Sequence, residues 1–582
     1  MDLTATSPGS AAGRVERVHG PVVHLSGLTG AVRFEYVEVG DERIPGEIIT
    51  IDRDRAVAQL YEYTGGLAVG QPAWALGHAL SVRLDPGLLG GIFDGLLRPL
   101  ADAPEFLGHG GHRRRTAERP YEVEPLVDVG ATVGPGRRLA ALRGRPEPQL
   151  YVVVPPHVEG MVESVVSAGT IDASDTIATV GTTPVTAISN WPIRTPRPHA
   201  GRRHDRVPFL TGQRVLDVLE PVAEGSSATV IGGFGEGKTV LLEQLAKWGA
   251  ADVIIYVGCG ERGNELADLI GELGELSDPR TDRQLLDRTV ILANTSNMPV
   301  MAREASIYTA VTVAEYYRDM GLHAVIIADS TSRWAEARRE LASRTGAIPA
   351  EQGYPADLPS SLAAFYQRAG AVVTSGGHDG TVTIVTSVSP PGGDATEPVS
   401  AHTQRFVQAV WALDRDLAYA RHYPAVAWQR SFSRDSGPVA RWHAANGDPD
   451  WAARRARLQS LLSEAERLQN TADLVGLTAL PTEERLTLAA ARLVSDVVLQ
   501  QSALSANDAF CTLAKQRSLV QAVLDVHEAM QELGRAGVPA SVIEQFDFGQ
   551  LVRSKDETAP DDADGVDGTA RTVVGDLRRL TP

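Results

Sequence analysis

Residues 232–239 read Gly-Gly-Phe-Gly-Glu-Gly-Lys-Thr and match the phosphate-binding pattern G-x-x-x-x-G-K-[ST]. The short run before the motif, 228–231, is apolar and β-branched, as expected of a buried strand. The run after it, 240–248, has apolar side chains at helical spacing. This order places the loop at a helix N-terminus, where backbone N–H groups and the helix dipole favour bound phosphate. The sequence therefore predicts a nucleotide-binding protein.

The composition is typical of a folded protein with several domains. The chain has 582 residues, 43% hydrophobic and 22% charged, which indicates about three or four domains. The formal charge of −18 argues against nucleic acid as a partner, because nucleic acids are bound by basic surfaces. Cys259 and Cys511 are too few for a disulfide scaffold or a cysteine-built metal site. Neither a membrane-spanning run nor a signal-peptide pattern is visible, so we expect another protein of the same complex to hold the chain at any membrane.

Changes in residue pattern along the chain predict a multidomain α/β protein. β-branched runs between turn residues favour a small barrel or sandwich first and a second β-rich module later. Apolar strands then alternate with amphipathic helices, which is typical of a parallel sheet, and the last part is helical. The expected segments are a flexible tail (1–12), a β-barrel (13–80), a connection (81–114), a β-rich insertion (115–190), a P-loop nucleotide-binding domain (191–428), a helical domain (429–554) and a disordered tail (555–582).

The strand predicted at 253–257 is followed by two candidate catalytic residues, Glu261 and Arg262. A carboxylate at the C-terminal end of a strand in an open α/β sheet lies in the crevice where ligands bind. Glu261 is therefore a candidate to orient the water that attacks the γ-phosphate. Arg262 is a candidate to compensate phosphate charge or to contact a neighbouring chain. The alternative is a surface turn in which Glu261 and Arg262 pair with each other.

The apolar run 324–328 ends at Asp329, as a Walker B strand does. In that interpretation Asp329 holds the Mg²⁺ shell through water, opposite the Thr239 hydroxyl, and Lys238 reaches the β- and γ-phosphates. The alternative is a helix N-cap, for which Asp329, Ser330 or Thr331 would serve. Three strand-end elements in this order favour the catalytic interpretation.

Over residues 13–550 the chain resembles the catalytic chains, called A, of the V-type and archaeal-type rotary ATPases. The resemblance rests on these strings: Gly-Cys-Gly-Glu-Arg-Gly-Asn-Glu (258–265), Ala-Asn-Thr-Ser-Asn-Met-Pro (293–299), Arg-Glu-Ala-Ser-Ile-Tyr (303–308), Ala-Asp-Ser-Thr-Ser-Arg-Trp-Ala-Glu-Ala (328–337), Gly-Tyr-Pro (353–355), Ser-Pro-Pro-Gly-Gly-Asp (389–394), Leu-Asp-Pro-Gly-Leu-Leu (84–89) and Ile-Phe-Asp-Gly (92–95).

The resemblance implies an architecture and a set of partners. The fold implied is an N-terminal β-barrel, a β-rich bulge insertion at 115–190, a RecA-like P-loop core and a C-terminal helical domain. The family builds a ring of alternating A and B chains, three of each, with ATP sites at A–B interfaces and an arginine finger from B. Central rotor-stalk and peripheral-stalk subunits complete the complex on the cytoplasmic side of a membrane. ATP hydrolysis or synthesis is coupled there to H⁺ or Na⁺ translocation through a membrane sector that this chain contacts only indirectly.

The resemblance also completes the expected site, whose cofactors are ATP or ADP and Mg²⁺. Tyr423 corresponds by position to the aromatic residue that stacks on adenine; the alternative is a packing residue beneath the helical domain. The catalytic candidates are Lys238, Glu261 and Arg262, and the metal candidates are Thr239 and Asp329. The nucleotide-binding candidates are Gly232, Gly233, Phe234, Gly235, Glu236, Gly237, Lys238, Thr239, Val240 and Tyr423.

Several positions depart from the family pattern: Gly233 for proline, Glu236 for a small residue, Glu220 for phenylalanine, Ser361 for arginine and Leu504 for an aromatic residue. Glu236 sets a carboxylate near an anionic ligand and is expected to weaken nucleotide binding, unless it points outward to a basic residue of an adjacent chain. These departures keep a second hypothesis open, a structural ring subunit that binds nucleotide with little turnover. A third is a related hexameric ATPase, such as a secretion motor or an RNA helicase.

Overall fold

The computed structural model describes residues 13–101, 120–143, 148–278, 283–346 and 348–580, so the predicted tail 1–12 lies outside the described residues. The chain forms two compact units. The first unit comprises Met1–His204, Glu224–Ser227 and Ala251–Val407. The second unit comprises Asp205–Ala223, Ala228–Ala250 and Gln408–Pro582.

The strands in chain order are β1 (Gly13–His19), β2 (Val22–Ser26), β3 (Glu35–Val39), β4 (Ile44–Asp52), β5 (Arg55–Leu60), β6 (Pro72–Ala79), β7 (Ser81–Leu84), β8 (Ile92–Phe93), β9 (Tyr121–Pro125), β10 (Thr132–Val133), β11 (Arg138–Arg143), β12 (Leu150–Val153), β13 (Gly160–Val165), β14 (Gly169–Ile171), β15 (Ala178–Val180), β16 (Thr183–Val185), β17 (Ser189–Pro192), β18 (Gly201–Arg202), β19 (Ser227–Ile231), β20 (Val253–Glu261), β21 (Thr289–Thr295), β22 (His323–Asp329), β23 (Gly370–Val373), β24 (Asp379–Val388), β25 (Ala409–Ala412) and β26 (Phe432–Ser433).

The α-helices are α1 (Lys238–Trp248), α2 (Gly263–Glu275), α3 (Val300–Asp319), α4 (Thr331–Thr345), α5 (Leu358–Tyr366), α6 (Pro398–Phe406), α7 (Arg415–Tyr419), α8 (Ser436–Ala445), α9 (Trp451–Val475), α10 (Thr482–Val494), α11 (Leu513–Arg535), α12 (Ala540–Glu544), α13 (Gly549–Glu557) and α14 (Ala563–Leu577). No helix within the described ranges is long and apolar enough to cross a membrane.

The first unit begins with a closed antiparallel barrel in the order β1-β2-β5-β4-β3-β6. Alternate residues of its strands point inward, and Val23, Leu25, Val37 and Ile48 share one buried core. The sequence left a barrel and a sandwich open, and the barrel is the one observed. Two antiparallel four-stranded sheets follow, β10-β13-β15-β16 and β12-β11-β9-β14, where the β-rich insertion was predicted.

The core sheet of the first unit is parallel, as the alternation of strands and helices predicts. Its parallel order is β24-β22-β20-β21-β8, and β23 pairs antiparallel with β24. The side chains of β22 from Ala324 to Asp329 are all buried, which explains its uninterrupted apolar run. Parallel strands end at the same edge of the sheet. The C-terminal residues of β20 and β22, Glu261 and Asp329, therefore lie at that edge.

The second unit contains β19 paired in parallel with β25, helix α1, and helices α7 to α14. Helix α9 buries Leu458, Leu461, Leu462 and Leu468, whose spacing matches one helical face. The predicted fold class, with its barrel, β-rich insertion, P-loop core and C-terminal helical domain, is confirmed.

The prediction of a disordered tail at 555–582 is wrong for the described residues. Helix α13 continues to Glu557, and α14 occupies most of the remainder. Helix α14 packs against α11 and buries four apolar residues, of which Val566 and Leu577 are fully buried. The Asp, Gly and Thr content of this segment disfavours an isolated helix, but tertiary packing of one apolar face overrides that preference.

Candidate nucleotide-binding and catalytic residues

The phosphate loop lies between a buried strand and the start of a helix, as its sequence predicts. Every residue of β19 is buried, and α1 begins at Lys238. Gly235 and Gly237 adopt left-handed backbone angles, φ 80° and 92°, which a side chain would disfavour. The N-cap is Gly237, so no side chain caps the N–H groups at the start of α1. This geometry is typical of a loop that binds phosphate.

The lysine of the loop folds back over the loop itself. Lys238 Nζ donates to the carbonyl oxygens of Gly232 at 2.8 Å and Gly233 at 2.6 Å. Only 9% of Lys238 is exposed, and the dipoles of these two carbonyl groups hold its ammonium group against the loop. A cation in this position is available to phosphate oxygens without unfolding the loop.

Glu236 also turns back onto the loop instead of pointing outward. Its Oε2 accepts a hydrogen bond from the Gly233 N–H at 2.7 Å. Gly233 belongs to the loop whose backbone N–H groups cradle bound phosphate. The departure from the family pattern therefore places a carboxylate against this loop, where it repels an anionic ligand.

We expect Glu236→Ser to tighten ATP binding about fivefold, because it removes roughly 1 kcal/mol of charge repulsion. Calorimetric titration of ATP into the native and variant chains measures this. Glu236→Gln is the matched control, because it keeps the length of the side chain and an acceptor for the Gly233 N–H but removes the charge. It therefore distinguishes the effect of the charge from the effect of the space that the side chain fills. Equal affinities for native and Glu236→Ser would end this explanation.

Tyr423 lies beside the phosphate loop, within the same unit. A Cβ atom placed on Gly237 would be 3.6 Å from Cε1 of Tyr423. The tyrosine is 44% exposed, and its hydroxyl donates to the carbonyl oxygen of Ala418 at 3.3 Å. The ring is thus anchored at its hydroxyl and half exposed beside the loop, which is compatible with the predicted adenine contact. Phe234, also in the candidate set, is 95% exposed at the tip of the loop.

In the first unit, Asp329 ends β22 and is held by a serine of the next strand. Ser387 Oγ donates to Asp329 Oδ1 at 2.5 Å, and Asp329 is 6% exposed. Ser330, one of the capping candidates, occupies the N-cap position of α4, but its side chain makes no cap hydrogen bond. Ser387 was missed in the sequence, where only its place at the end of an apolar strand could have drawn attention to it.

Glu261 is the last residue of β20 and follows an irregularity in the pairing of that strand. The register with β21 shifts between Cys259 and Glu261, and Gly260 between them has φ 76°. A Cβ atom on Gly260 would lie 3.0 Å from Arg333 Cβ and 3.1 Å from Arg303 Cδ. Both the backbone angle and the crowding require glycine, so the bulge fixes where the Glu261 side chain leaves the sheet.

Arg262 extends along α2 toward Glu265. Its guanidinium group is 70% exposed and lies 3.9 Å from the Glu265 carboxylate, one helical turn away. An exposed pair at that distance contributes little to stability, so Arg262 can exchange this contact for one with phosphate or a neighbouring chain. Arg333 also lies near this strand end. Its guanidinium group donates a hydrogen bond to the Glu336 carboxylate, which raises the pKa of Arg333, and Glu261 makes a smaller contribution in the same direction.

Cys259 is fully buried beside these residues, and burial raises the pKa of its thiol to about 12. The reactive form of cysteine is the thiolate, which is therefore nearly absent at neutral pH. Cys259 is a small packing residue in this state of the protein and not a reactive thiol.

The predicted residues fall into two groups in the structure. The second unit carries the phosphate loop, Lys238, Thr239 and Tyr423; the first unit carries Glu261, Arg262 and Asp329. A phosphate loop at a helix N-terminus and carboxylates at the ends of parallel strands define the class of P-loop nucleotide-binding proteins.

Comparison with known families covers most of the chain. Residues 212–433 match the ATP synthase alpha/beta family, nucleotide-binding domain, and residues 440–537 match the C-terminal domain of V and A type ATP synthase. Residues 115–194 match the ATP synthase alpha/beta barrel-sandwich domain, and residues 10–77 match the beta-barrel domain of the same family.

Individual relatives agree with the family models. The V-type ATP synthase alpha chain of Anaeromyxobacter sp. (strain K) is 46% identical over 97% of this chain and 98% of its own length. The corresponding chain of the A-type ATP synthase of Staphylothermus marinus is 43% identical over 92% of this chain and 91% of its own length. The chain belongs to the ATP synthase alpha/beta family, within the branch of V-type alpha chains and their A-type counterparts. Its domain of that family binds ATP or ADP.

A solved structure with a similar fold is the assembled ATPase EscN of the enteropathogenic E. coli type III secretion system. Its TM-score is 0.63 at 20% sequence identity, covering 88% of this chain and 100% of EscN. At that identity the similarity shows the fold alone. The third hypothesis, a secretion motor, is not supported beyond the fold, because the V- and A-type sequences match at more than twice that identity.

Proposed function

We propose that this chain is the catalytic subunit of a V/A-type rotary ATPase, which hydrolyses or synthesises ATP and couples it to H⁺ or Na⁺ translocation. The observation that carries the proposal is the set of charged residues that this chain contributes to such chemistry: Lys238 folded over the phosphate loop, and Glu261 and Asp329 at strand ends. A copy that had lost catalysis would be expected to lack at least one of these. Relatives named as ATP synthase chains match nearly the whole length.

Each residue has a role that follows from its chemistry. Lys238 exchanges its two carbonyl acceptors for β- and γ-phosphate oxygens when ATP binds. Glu261 orients the attacking water, and Arg262 compensates charge on the phosphates or contacts an adjacent chain. Tyr423 stacks on the adenine through its exposed ring face.

The residues also fit Mg²⁺, a hard cation that prefers oxygen ligands. Thr239 supplies a hydroxyl, and Asp329 a buried carboxylate that Ser387 orients. When bound, Mg²⁺ would neutralise charge on the β- and γ-phosphates. Asp329 would hold its water shell, and Thr239 would ligate it directly.

The family implies a multisubunit complex, and we propose the finer arrangement. Three copies of this chain alternate with three B subunits in a ring, and each B subunit supplies an arginine finger to an ATP site. Central and peripheral stalk subunits connect the ring to the membrane sector, on the cytoplasmic side. The formal charge of −18 argues against nucleic acid as a main partner.

Steady-state ATP hydrolysis by the chain assembled with its B partner tests the proposal. We expect turnover that requires both Mg²⁺ and the partner, since the arginine finger comes from outside this chain. The same chain without the partner, and the assembly in EDTA, are the controls. Binding of MgATP by the assembly without any turnover would overturn the catalytic assignment in favour of a structural ring subunit.

A further inference from the structure

A buried arginine holds the irregular loop 500–512 of the second unit. Arg214 is 0% exposed, and each nitrogen of its guanidinium group donates to this loop or to a residue shortly before it. Nη1 donates to Asp508 Oδ1 at 2.5 Å, and Nη2 donates to the carbonyl oxygen of Gln500 at 2.6 Å. Nε donates to the carbonyl oxygen of Val498 at 3.0 Å. One side chain therefore fixes three points along this stretch of chain.

The backbone of Arg214 fixes a fourth point, Gln501. The Arg214 N–H donates to Gln501 Oε1 at 2.8 Å, and Gln501 Nε2 donates to the carbonyl oxygen of Gly212 at 2.8 Å. The N–H of Gln501 then donates to the carbonyl oxygen of Tyr423 at 2.8 Å. Since Gln501 is only 3% exposed, water has little access to replace these bonds.

The ion pair at the centre of this network is fully desolvated. Asp508 is 0% exposed, and its second oxygen accepts the Ser502 N–H at 2.7 Å. A buried ion pair contributes little net stability compared with apolar packing, because both charges lose their hydration. Such a pair instead fixes one geometry, since any displacement leaves a buried charge without its partner. The network is therefore suited to positioning the chain that it contacts.

The loop so positioned contacts the tyrosine beside the phosphate loop, because the Gln501 N–H donates to the carbonyl oxygen of Tyr423. We propose that Arg214 is a positioning residue that, by fixing Gln500 and Gln501, holds Tyr423 beside the phosphate loop and sets the affinity for the base of the nucleotide. The inference rests on the proposed contact of Tyr423 with adenine. The carbonyl acceptors of the loop lysine belong to Gly232 and Gly233, which lie outside this network. Loss of the network should thus weaken ATP binding without weakening phosphate binding.

The test compares MgATP with magnesium tripolyphosphate, which offers the same phosphate chain without a base. Calorimetric titrations use the assembly with the B partner, with this chain in four forms: native, Asp508→Asn, Tyr423→Ala and the double variant. Asp508→Asn keeps the shape of the side chain and removes the counter-charge of Arg214. Ala506→Ser is the matched control, because Ala506 is an exposed residue of the same loop.

We expect Asp508→Asn to weaken ATP binding about tenfold and to leave tripolyphosphate binding within about twofold. In the Tyr423→Ala background, Asp508→Asn should have no further effect, because both changes act through the same ring. Should Asp508→Asn fail to fold, Gln501→Ala provides the same comparison, since it removes the side chain that links Arg214 to Gly212 and leaves the ion pair intact.

Equal weakening of both ligands, or additive effects of the two substitutions, would overturn the positioning role while leaving the proposed function in place. A Tyr423→Ala variant that binds ATP normally would refute the adenine contact and with it this inference. A native assembly that binds neither ligand would refute the proposed function itself.

Discussion

Glu261→Gln is expected to lower the turnover number for MgATP hydrolysis by about 10²–10⁴-fold in the assembled complex. Glutamine has the shape of glutamate but no charge, so it cannot polarise or accept a proton from the attacking water. The bulge at Gly260 holds the backbone of this residue in place whichever side chain follows it. We therefore expect ATP affinity to change less than about threefold, because the substitution removes an interaction made mainly in the transition state.

Steady-state hydrolysis and ATP binding, measured on the same assembly, separate these two effects. Glu272→Gln is the matched control: Glu272 is an exposed carboxylate in the last turn of α2, and its substitution should not alter turnover. Undiminished turnover in Glu261→Gln would show that another group orients the water. A parallel loss of ATP affinity would instead assign Glu261 to binding.

Glu220→Gln is expected to make the protein more stable above pH 7 and to raise its stability at pH 5 by less than about 1 kcal/mol. Burial raises the pKa of Glu220 from 4.5 to about 7, although Arg455 at 3.8 Å acts in the opposite direction. A raised carboxyl pKa means that the folded state binds the proton more tightly than the unfolded state. The stability this provides is complete below pH 4.5 and is lost as the pH rises to about 7.

At pH 8 the ionised Glu220 lowers the free energy of unfolding by about 3 kcal/mol. Glutamine would restore this stability because it carries no charge to desolvate. Arg455 would keep hydrogen-bond partners in the Glu220→Gln variant. Its Nε and Nη2 donate to the carbonyl oxygen of Leu219 at 2.9 and 2.6 Å, and burial lowers its own pKa. For both side chains, therefore, the free-energy cost of burying the charge is larger than the free energy gained from the ion pair.

Urea unfolding of the native chain and Glu220→Gln at pH 5 and pH 8, followed by circular dichroism, measures the difference. Glu466→Gln, an exposed carboxylate on the same helix as Arg455, removes the same charge and should be neutral at both pH values. A stability change of equal size at pH 5 and pH 8 would contradict the raised pKa. A variant less stable than native at pH 8 would show that the ion pair outweighs the cost of burial.

The features that could be predicted from the sequence are those that depend on a short motif or on a local pattern of apolar residues. The phosphate loop depends on glycines, a lysine and a threonine inside one short motif, flanked by a strand and a helix. The barrel and the parallel core follow from strand and helix periodicities. Glu261 and Asp329 were identified because each follows an apolar run, and both lie at strand ends in the structure.

The features missed depend on residues far apart in the chain or on a weak local signal. Arg214 and Asp508 are 294 residues apart, and Ser387 is 58 residues from Asp329, so no local pattern could pair them. Helix α14 is a different case, because its buried residues are spaced by four, three and four. That helical spacing was present in the sequence, but the polar composition of the segment concealed it.

The buried lysine of α11 has a consequence for the order in which the chain folds as it is synthesised. Lys515 is 0% exposed, and two of its three carbonyl acceptors belong to Lys555 and Thr558, which are 40 and 43 residues further along. Until that later stretch has left the ribosome, the ammonium group must stay hydrated and α11 cannot be fully enclosed. The helical domain can therefore enclose Lys515 fully only after the chain as far as Thr558, just beyond α13, has been translated.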